Sequence, residues 1–185
     1  MMNDVLKDAE DRMKSTLHVL EHDLASMRTG RASTALVEKL EVEYYGTPTP
    51  LYQLASLSVP EPQTISIRPF DRTSTNIIEK AILASDLGLT PNNDGTNIRL
   101  NIPALTQERR KDLVKIMHKR LEEAKVSVRN IRRGAMEDLK ELEKEKMISE
   151  DDLHQGQDRL EKLTTRHIEQ IDETGKRKEA EIMQV

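Results

Sequence analysis

The chain has 185 residues, of which 36% are hydrophobic and 34% are charged, and its formal net charge at pH 7 is −4. Because an average domain has roughly 25% charged residues, this composition favours a thin helical bundle with much solvated surface over a compact sphere. The sequence has no cysteine, which excludes disulfides, thiolate metal sites and cysteine nucleophiles. No apolar run is long enough to span a membrane, and the N-terminus does not resemble a signal peptide. Because the absence of cysteine fits a reducing cytosol, we expect a cytoplasmic protein.

Proline and aromatic residues are confined to the middle of the chain. All of the prolines, tyrosines and phenylalanine lie between Tyr44 and Pro103. Since proline ends or kinks helices, its absence elsewhere permits long ones. We therefore predict a discontinuous helical domain of residues 1–29 and 106–185, and an inserted domain of residues 31–104. Hinges are expected where the chain passes between them, at residues 29–32 and 103–105.

The first helix and the insert have different hydrophobic periods. Steps of three and four predict a helix whose buried stripe is Leu6, Met13, Leu17, Leu20, Leu24 and Met27. Alternation of polar and apolar residues predicts strands at residues 40–44, 64–68 and 97–102. A helix capped by Thr75 or Asn76 and ended by Gly88 lies between them, with a packing face of Ile77, Ile78, Ala81, Ile82 and Leu83. A turn is expected at residues 92–95.

Two further amphipathic helices follow the insert. One is capped by Thr106 and continues to about Lys146, with a buried stripe of Val114, Met117, Leu121, Ala124, Val128, Ile131, Ala135 and Leu142. After a turn at residues 147–150, the last helix places inward Leu153, Leu160, Leu163, His167 and Ile171, and Gly156 and Gly175 blur its register. Three such helices bury their stripes most simply as a three-helix bundle. The predicted fold class is therefore α+β, with a long three-helix bundle and an inserted small β/α/β domain.

Positive charge is concentrated on the second long helix. Ten lysines and arginines lie between Arg109 and Arg133, against three acids. We call one face of this helix the basic ribbon, and it consists of Lys111, Lys115, His118, Lys125, Arg129, Arg132 and Arg133. Arginine grips phosphate with two parallel hydrogen bonds, so this pattern suits a nucleic-acid backbone. An ordinary solvated helix face is the alternative interpretation, and charge patterning alone does not exclude it.

Catalytic and metal sites are not indicated. His18, Glu21 and His22 match the H-x-x-E-H zinc-protease spacing, but Leu17, Leu20 and Leu24 turn this helix toward a bundle core and leave the histidines on its flanks. No glycine-rich phosphate loop or nucleophile elbow occurs. We expect no enzyme, no metal and no cofactor.

Several motifs together resemble bacterial ribosome recycling factor. Their order, spacing and the total chain length coincide with that family across the whole sequence. The segments are residues 28–33 (RTGRAS), 44–51 (YYGTPTPL), 53–55 (QLA), 84–89 (ASDLGL), 105–106 (LT), 108–113 (ERRKDL), 128–130 (VRN) and 132–133 (RR).

This resemblance implies an L-shaped monomer that splits the post-termination ribosome with elongation factor G and its GTP hydrolysis, and that has no catalytic site. The bundle would grip ribosomal RNA of the large subunit, and the small domain would be the lever that elongation factor G moves. The implied RNA contacts are Arg129, Arg132 and Arg133 first, then Arg110 and Arg31, with Lys111, Lys115 and Lys125 as weaker partners. The implied hinge residues are Thr29, Gly30, Arg31, Ala32, Pro103, Ala104 and Leu105.

A second hypothesis is a helical-rod adaptor or chaperone without an RNA partner. Such a protein needs apolar anchors or mixed charges on its exposed face, whereas RNA binding predicts an affinity that falls steeply with salt.

Overall fold

The computed structural model describes residues 1–184, which form helices and antiparallel strands in two compact units. The helices are α1 (Met2–Ala25), α2 (Leu51–Leu54), α3 (Thr75–Ala84), α4 (Gln107–Lys144) and α5 (Glu150–Met183). The strands are β1 (Glu41–Tyr44), β2 (Thr47–Pro50), β3 (Ala55–Glu61), β4 (Thr64–Pro69), β5 (Pro91–Asn93) and β6 (Ile98–Asn101). Among these residues no helix is both long enough and apolar enough to cross a membrane.

The first unit is a three-helix bundle formed by Met1–Thr29 and the residues from Gln107 onward, and the second unit is Gly30–Thr106. In the bundle, α1, α4 and α5 each pack against the other two. The second unit contains all six described strands and α3. The predicted α+β class, with a small domain inserted into a helical bundle, is confirmed.

The apolar stripe of α1 lies mostly where its period predicts. Leu6, Met13, Leu20 and Leu24 are buried, and Ala9 joins them. Leu17 is only half-buried, and Met27 lies beyond the end of the helix at Ala25.

On α4 two of the predicted core residues are wrong. Val114 and Leu142 are half-buried, and Leu113 and Leu139 are buried instead. Steps of three and of four are both compatible with a helical period, so the partner helices decide which of two neighbouring residues faces the core. The helix continues without interruption through Gly134 and spans about 57 Å at 1.5 Å per residue.

Glycines on α5 let the helices of the bundle approach closely. A Cβ added at Gly175 would collide with the Leu121 side chain of α4, and one added at Gly156 would lie 3.2 Å from Leu139 Cδ1. Both glycines are buried, whereas the predicted core residues Leu153 and Leu163 are half-buried. Rather than blurring the register, these glycines are part of the packed surface.

The predicted turn between the two long helices is present, and a capping box starts α5. The Ser149 hydroxyl accepts a hydrogen bond from the Asp152 backbone N–H at 3.1 Å, and the Asp152 carboxylate accepts one from the Ser149 backbone N–H at 3.1 Å. The Ser149 hydroxyl also donates to Asp152 Oδ2 at 2.7 Å. These bonds, the hydroxyl's first, lower the pKa of Asp152.

We expect Ser149→Ala to lower the Tm of the bundle by about 2–4 °C near neutral pH, the shift expected for one lost helix cap in a chain of this size. A lowered carboxylate pKa contributes stability above its unfolded value and loses it as the pH falls through the folded value. The difference in Tm between parent and variant should therefore shrink below about pH 3.9. Thermal melts followed by helical circular dichroism at several pH values test this, and a difference that persists unchanged into acid would contradict it.

The second unit holds a two-stranded sheet, β1-β2, and a four-stranded sheet in the order β3-β4-β6-β5, both antiparallel. The three predicted strands correspond to β1, β4 and β6. Strands β2, β3 and β5, each of which contains proline, were not predicted from the sequence. The turn predicted at residues 92–95 is displaced, because Asn92 and Asn93 pair with β6 and the chain reverses after them.

Helix α3 covers the core of the second unit. Its Ile78 and Ile82 are buried with Ile65, Ile67 and Leu100 of the sheet. Ile77 and Leu83, predicted to pack, are exposed. The helix ends at Ala84 rather than at Gly88, where φ is +66° in the following loop.

Candidate nucleic-acid interface

The packing of α4 presents the basic ribbon beside α5. The buried row of α4 contacts the other two helices, so the ribbon occupies the flank next to α5. This position divides the ribbon into an inner row, which meets acids of α5, and an outer row, which faces solvent. The inner row is His118, Lys125 and Arg132, and the outer row is Lys111, Lys115, Arg129 and Arg133.

Each member of the inner row faces a carboxylate of α5. His118 Nε2 lies 3.7 Å from Glu179 Oε2, a pair that is ionic only when the histidine is protonated. Lys125 Nζ lies 2.6 Å from Asp172 Oδ1, and Arg132 Nη1 lies 3.4 Å from Glu161 Oε2. These acids partly neutralise the row, so part of the ribbon's charge serves packing between α4 and α5.

Lys125 is the least exposed of the three side chains and has two acidic partners. Its side chain is only 16% exposed, and its ammonium also lies 3.3 Å from Glu122 Oε1. The hydrogen bond to Asp172 is the main cause that raises the pKa of Lys125. The lysine stays charged, but both neighbouring carboxylates compete with any phosphate.

Arg132 retains accessible donors. Its side chain is 38% exposed, and Nη1 alone is directed at Glu161. A guanidinium has five N–H donors, so the others are free to bind a second acceptor.

The outer row is the accessible part of the ribbon. Its four side chains belong to exposed residues, and within residues 1–184 none of them forms an ion pair or hydrogen bond. Lys111 with Lys115, and Arg129 with Arg133, are pairs one helical turn apart, and Lys111 and Arg129 are separated by about 27 Å along the axis. Glu122, with a side chain 64% exposed, stands midway and divides the row into two cationic clusters.

An exposed apolar residue accompanies the arginine cluster. Val126, three residues before Arg129 and seven before Arg133, is 50% exposed. It was not predicted as part of the site, although an apolar residue outside the buried stripe of a helix can be recognised in the sequence. It supplies a surface on which a sugar or base could pack beside the arginines.

Arg110 does not share this exposure. It is buried, its Nη1 donates to the Met183 carbonyl at 3.4 Å, and its Nε has no partner within residues 1–184. The guanidinium thus satisfies a carbonyl at the C-terminal end of α5, where a cation also complements the helix dipole. This placement argues against a direct phosphate contact, so we treat Arg110 as a residue that supports the fold.

The expected hinge residues have different surroundings. The Thr29 hydroxyl donates to Glu181 Oε1 of α5 at 3.3 Å, and the Ala32 N–H donates to the Pro62 carbonyl at 2.8 Å. Gly30 has φ +76°, and a Cβ added there would lie 3.0 Å from Leu105 Cγ. Arg31, Pro103 and Ala104 are exposed. Within the second unit, the two ends of the inserted segment therefore touch at Gly30 and Leu105.

The two histidines of the H-x-x-E-H match lie on the surface of the bundle. His18 and His22 are exposed on α1, and within residues 1–184 no group of three His, Cys, Asp or Glu side chains could hold a metal ion. His167 is buried, and its Nδ1 lies 2.8 Å from the Leu163 carbonyl, which satisfies it locally.

Comparisons with known proteins agree on one family. The family model described as ribosome recycling factor matches residues 20–183. The chain is 56% identical over 185 residues to the ribosome-recycling factors of Chloroflexus aurantiacus and Syntrophomonas wolfei, with 100% of each chain covered.

Two solved structures are also similar. A solution structure of ribosome recycling factor has a TM-score of 0.76 and 44% identity, covering 100% of this chain and 98% of the other. The second, with a TM-score of 0.62, 43% identity and 100% of both chains covered, belongs to models for the T. thermophilus ribosome recycling factor and the E. coli elongation factor G bound to the E. coli post-termination complex.

Proposed function

This chain belongs to the ribosome recycling factor family, a family of non-enzymatic translation factors, and we propose that it anchors itself on ribosomal RNA through the outer row of the basic ribbon. Its function is ribosome recycling, and its partners are the post-termination ribosome and elongation factor G. The adaptor hypothesis is not favoured. Because its substrate is the ribosome, the protein would act in the cytoplasm.

The observation that carries the proposal is the set of four uncompensated cations on a chain whose net charge is −4. Arg129 and Arg133 are the primary contacts, because two guanidinium forks on adjacent turns can each bind a phosphate bidentately. Arg132 contributes its remaining donors, and Lys111 and Lys115 form the second cluster. Arg31 is a further contact from the second unit, whereas Lys125 is mainly a bridge to α5.

The chemistry of these contacts predicts their behaviour. Each lysine or arginine that neutralises an RNA phosphate releases condensed counterions, so binding weakens steeply as salt rises. The inner row strengthens the surface indirectly, because its pairs with α5 hold the flank of α4 in place.

Recycling requires mechanical work, and the chain has two compact units that could take different parts in it. We propose that the bundle stays on ribosomal RNA while elongation factor G, with GTP hydrolysis, displaces the second unit. The chain segments at residues 29–32 and 103–105 would be the hinges, with Thr29 tied to the bundle and the pivot at Gly30.

A direct test is the splitting of post-termination ribosomes into subunits, followed by sedimentation or light scattering. We expect splitting only when the protein, elongation factor G and GTP are all present. Splitting without the protein, or none with all three components, would contradict the function.

We expect Gly30→Ala to slow splitting several-fold while leaving ribosome binding unchanged. An L-residue at positive φ costs about 1 kcal/mol, and the new methyl group would press on Leu105. The matched control is Gly46→Ala, because Gly46 has the same φ of +76° but nothing within 4 Å of an added Cβ. Equal splitting rates for both variants would show that the Gly30–Leu105 contact is irrelevant to the motion.

A further inference from the structure

A second basic surface lies between α1 and α5. Two adjoining depressions of about 420 and 490 Å³ share Arg166 and form one groove along these helices. The cations that line it, which we call the α1/α5 groove cations, are Lys7, Lys14, Arg159, Lys162 and Arg166. The acids that line it are Glu10 and Glu21, so five positive against two negative charges give a formal charge of +3.

This excess is not a general property of the bundle surface. The groove between α1 and α4 is lined by Arg120 against Asp23 and Glu123, which gives a formal charge of −1. A groove charge of +3 therefore stands out on a chain whose net charge is −4.

The groove cations are partly pre-organised and partly free. Glu10 lies 3.0 Å from both Lys14 Nζ and Arg166 Nη2, and the hydrogen bond to Lys14 is the main cause that lowers the pKa of Glu10. Arg159 Nη1 donates to Asn3 Oδ1 at 2.9 Å. Lys7 and Lys162 are exposed and form no ion pair within residues 1–184. Lys7 does lie near the Asp4 carboxylate, whose pKa is lowered mainly by its hydrogen bond to the N-terminal ammonium and to a smaller extent by the charge of Lys7. The surface thus offers fixed guanidinium groups flanked by two lysines that are available to an anion.

The groove and the basic ribbon lie on different sides of α5. Glu161 and Asp172 of α5 face α4 and the ribbon, whereas Arg159 and Arg166 contact α1. The helix α5 therefore separates two cationic surfaces of the same bundle.

We propose that the α1/α5 groove binds the phosphate backbone of a second segment of ribosomal RNA, so that the bundle is held on two sides. This inference rests on the proposed function. RNA fits better than an acidic protein, because the large hydrophobic residues lining the groove, Leu6, Leu17 and Leu163, are buried or half-buried and offer no exposed anchor. A polyanion needs only an array of accessible cations.

A second contact has a mechanical consequence. A rod attached along a single line of arginines can roll about that line when a force acts on the rest of the chain. Contacts on two sides of α5 oppose this rotation, and a push by elongation factor G is then transmitted to the ribosome instead of turning the bundle.

The test uses the double variant Lys7→Gln/Lys162→Gln in the full-length protein. Neither lysine forms an ion pair, and their only electrostatic effect within residues 1–184 is that of Lys7 on the exposed Asp4, so folding and melting should stay close to those of the parent. We expect about tenfold weaker ribosome binding at near-physiological salt, and a salt slope (log K against log salt) smaller in magnitude by about 1.4–1.8 for two lost phosphate contacts. The control Arg12→Gln/Arg120→Gln removes two charges from the α1 and α4 side. It also loses the exposed Arg12–Asp8 and Arg120–Asp23 ion pairs, so its melting is measured as well, and it should bind like the parent.

Three outcomes would overturn the inference. Unchanged affinity and salt slope for Lys7→Gln/Lys162→Gln would mean that the groove binds nothing on the ribosome. Equal weakening in the Arg12→Gln/Arg120→Gln control would reduce the effect to net charge. Weaker binding to ribosomes but not to protein-free ribosomal RNA would identify an acidic protein as the occupant.

The same assay separates this inference from the proposed function. If Arg129→Ala/Arg133→Ala weakens ribosome binding and the groove variant does not, only the inference fails. If the parent protein does not bind ribosomes at all, the proposed function fails with it.

Discussion

Replacing both Arg129 and Arg133 by alanine should weaken ribosome binding by about a hundredfold or more, because each charge-assisted contact to phosphate contributes about 1.5–3 kcal/mol. Both side chains are exposed and form no ion pair or hydrogen bond within residues 1–184, so the free energy of unfolding should change by no more than about 0.5 kcal/mol. Equilibrium binding to ribosomes over a range of salt, together with thermal melts, separates the two effects. Splitting by elongation factor G and GTP should fall in parallel with binding.

The control for this variant is Arg12→Ala/Arg120→Ala, which removes the same charge from another side of the bundle together with two exposed ion pairs, Arg12–Asp8 and Arg120–Asp23. Its ribosome affinity should remain close to that of the parent. The proposed role of the outer row would be wrong if the arginine variant bound like the parent, and the two arginines would be structural if the variant melted early instead.

Replacing Gly175 by valine should destabilise the bundle by about 2–3 kcal/mol, and should lower Tm by about 5–10 °C. Even a Cβ at this position would collide with the Leu121 side chain, so α4 and α5 would have to separate or Leu121 would have to leave its rotamer. Chemical denaturation followed by helical circular dichroism measures the loss. Because the arginines of the outer row stand on α4, ribosome binding should weaken only to the extent that the bundle unfolds.

Replacing Gly134 of α4 by alanine should have the opposite effect on stability. Nothing lies within 4 Å of a Cβ added at Gly134, so alanine there should stabilise α4 by up to about 1 kcal/mol through its better helix propensity. Similar changes in both variants would show that helix propensity, and not the approach of α4 to α5, decides the role of Gly175.

Much of this architecture could be predicted without coordinates. The confinement of proline to the middle of the chain separates long helices from a strand-rich insert, because proline cannot continue a helix. The periods of three and four in the long helices predicted the buried rows at Leu20, Met117, Val128 and Ile171. The basic ribbon was also visible, because a helix brings residues that are three, four and seven positions apart onto one face.

The wrong predictions within individual helices and strands share one cause, which is that they rest on a local sequence pattern. Leu113 is buried where Val114 was expected. The strands β2, β3 and β5 were not predicted, because each contains proline and lies at the edge of its sheet, where proline is tolerated. A local pattern describes which residues could face a core, and the partners across the interface choose among them.

The family, the two-part organisation and the helix that carries the positive charge follow from the amino-acid sequence alone, since they depend on residue identity and on periods along one element. Which cations are available follows from the folded chain, because their decisive partners are distant in the sequence. Asp172 pairs with Lys125, the carbonyl of Met183 accepts a hydrogen bond from Arg110, and Arg129 and Arg133 remain exposed. The α1/α5 groove depends on the fold in the same way, since Lys7 and Lys162 line one depression only because α1 and α5 pack side by side.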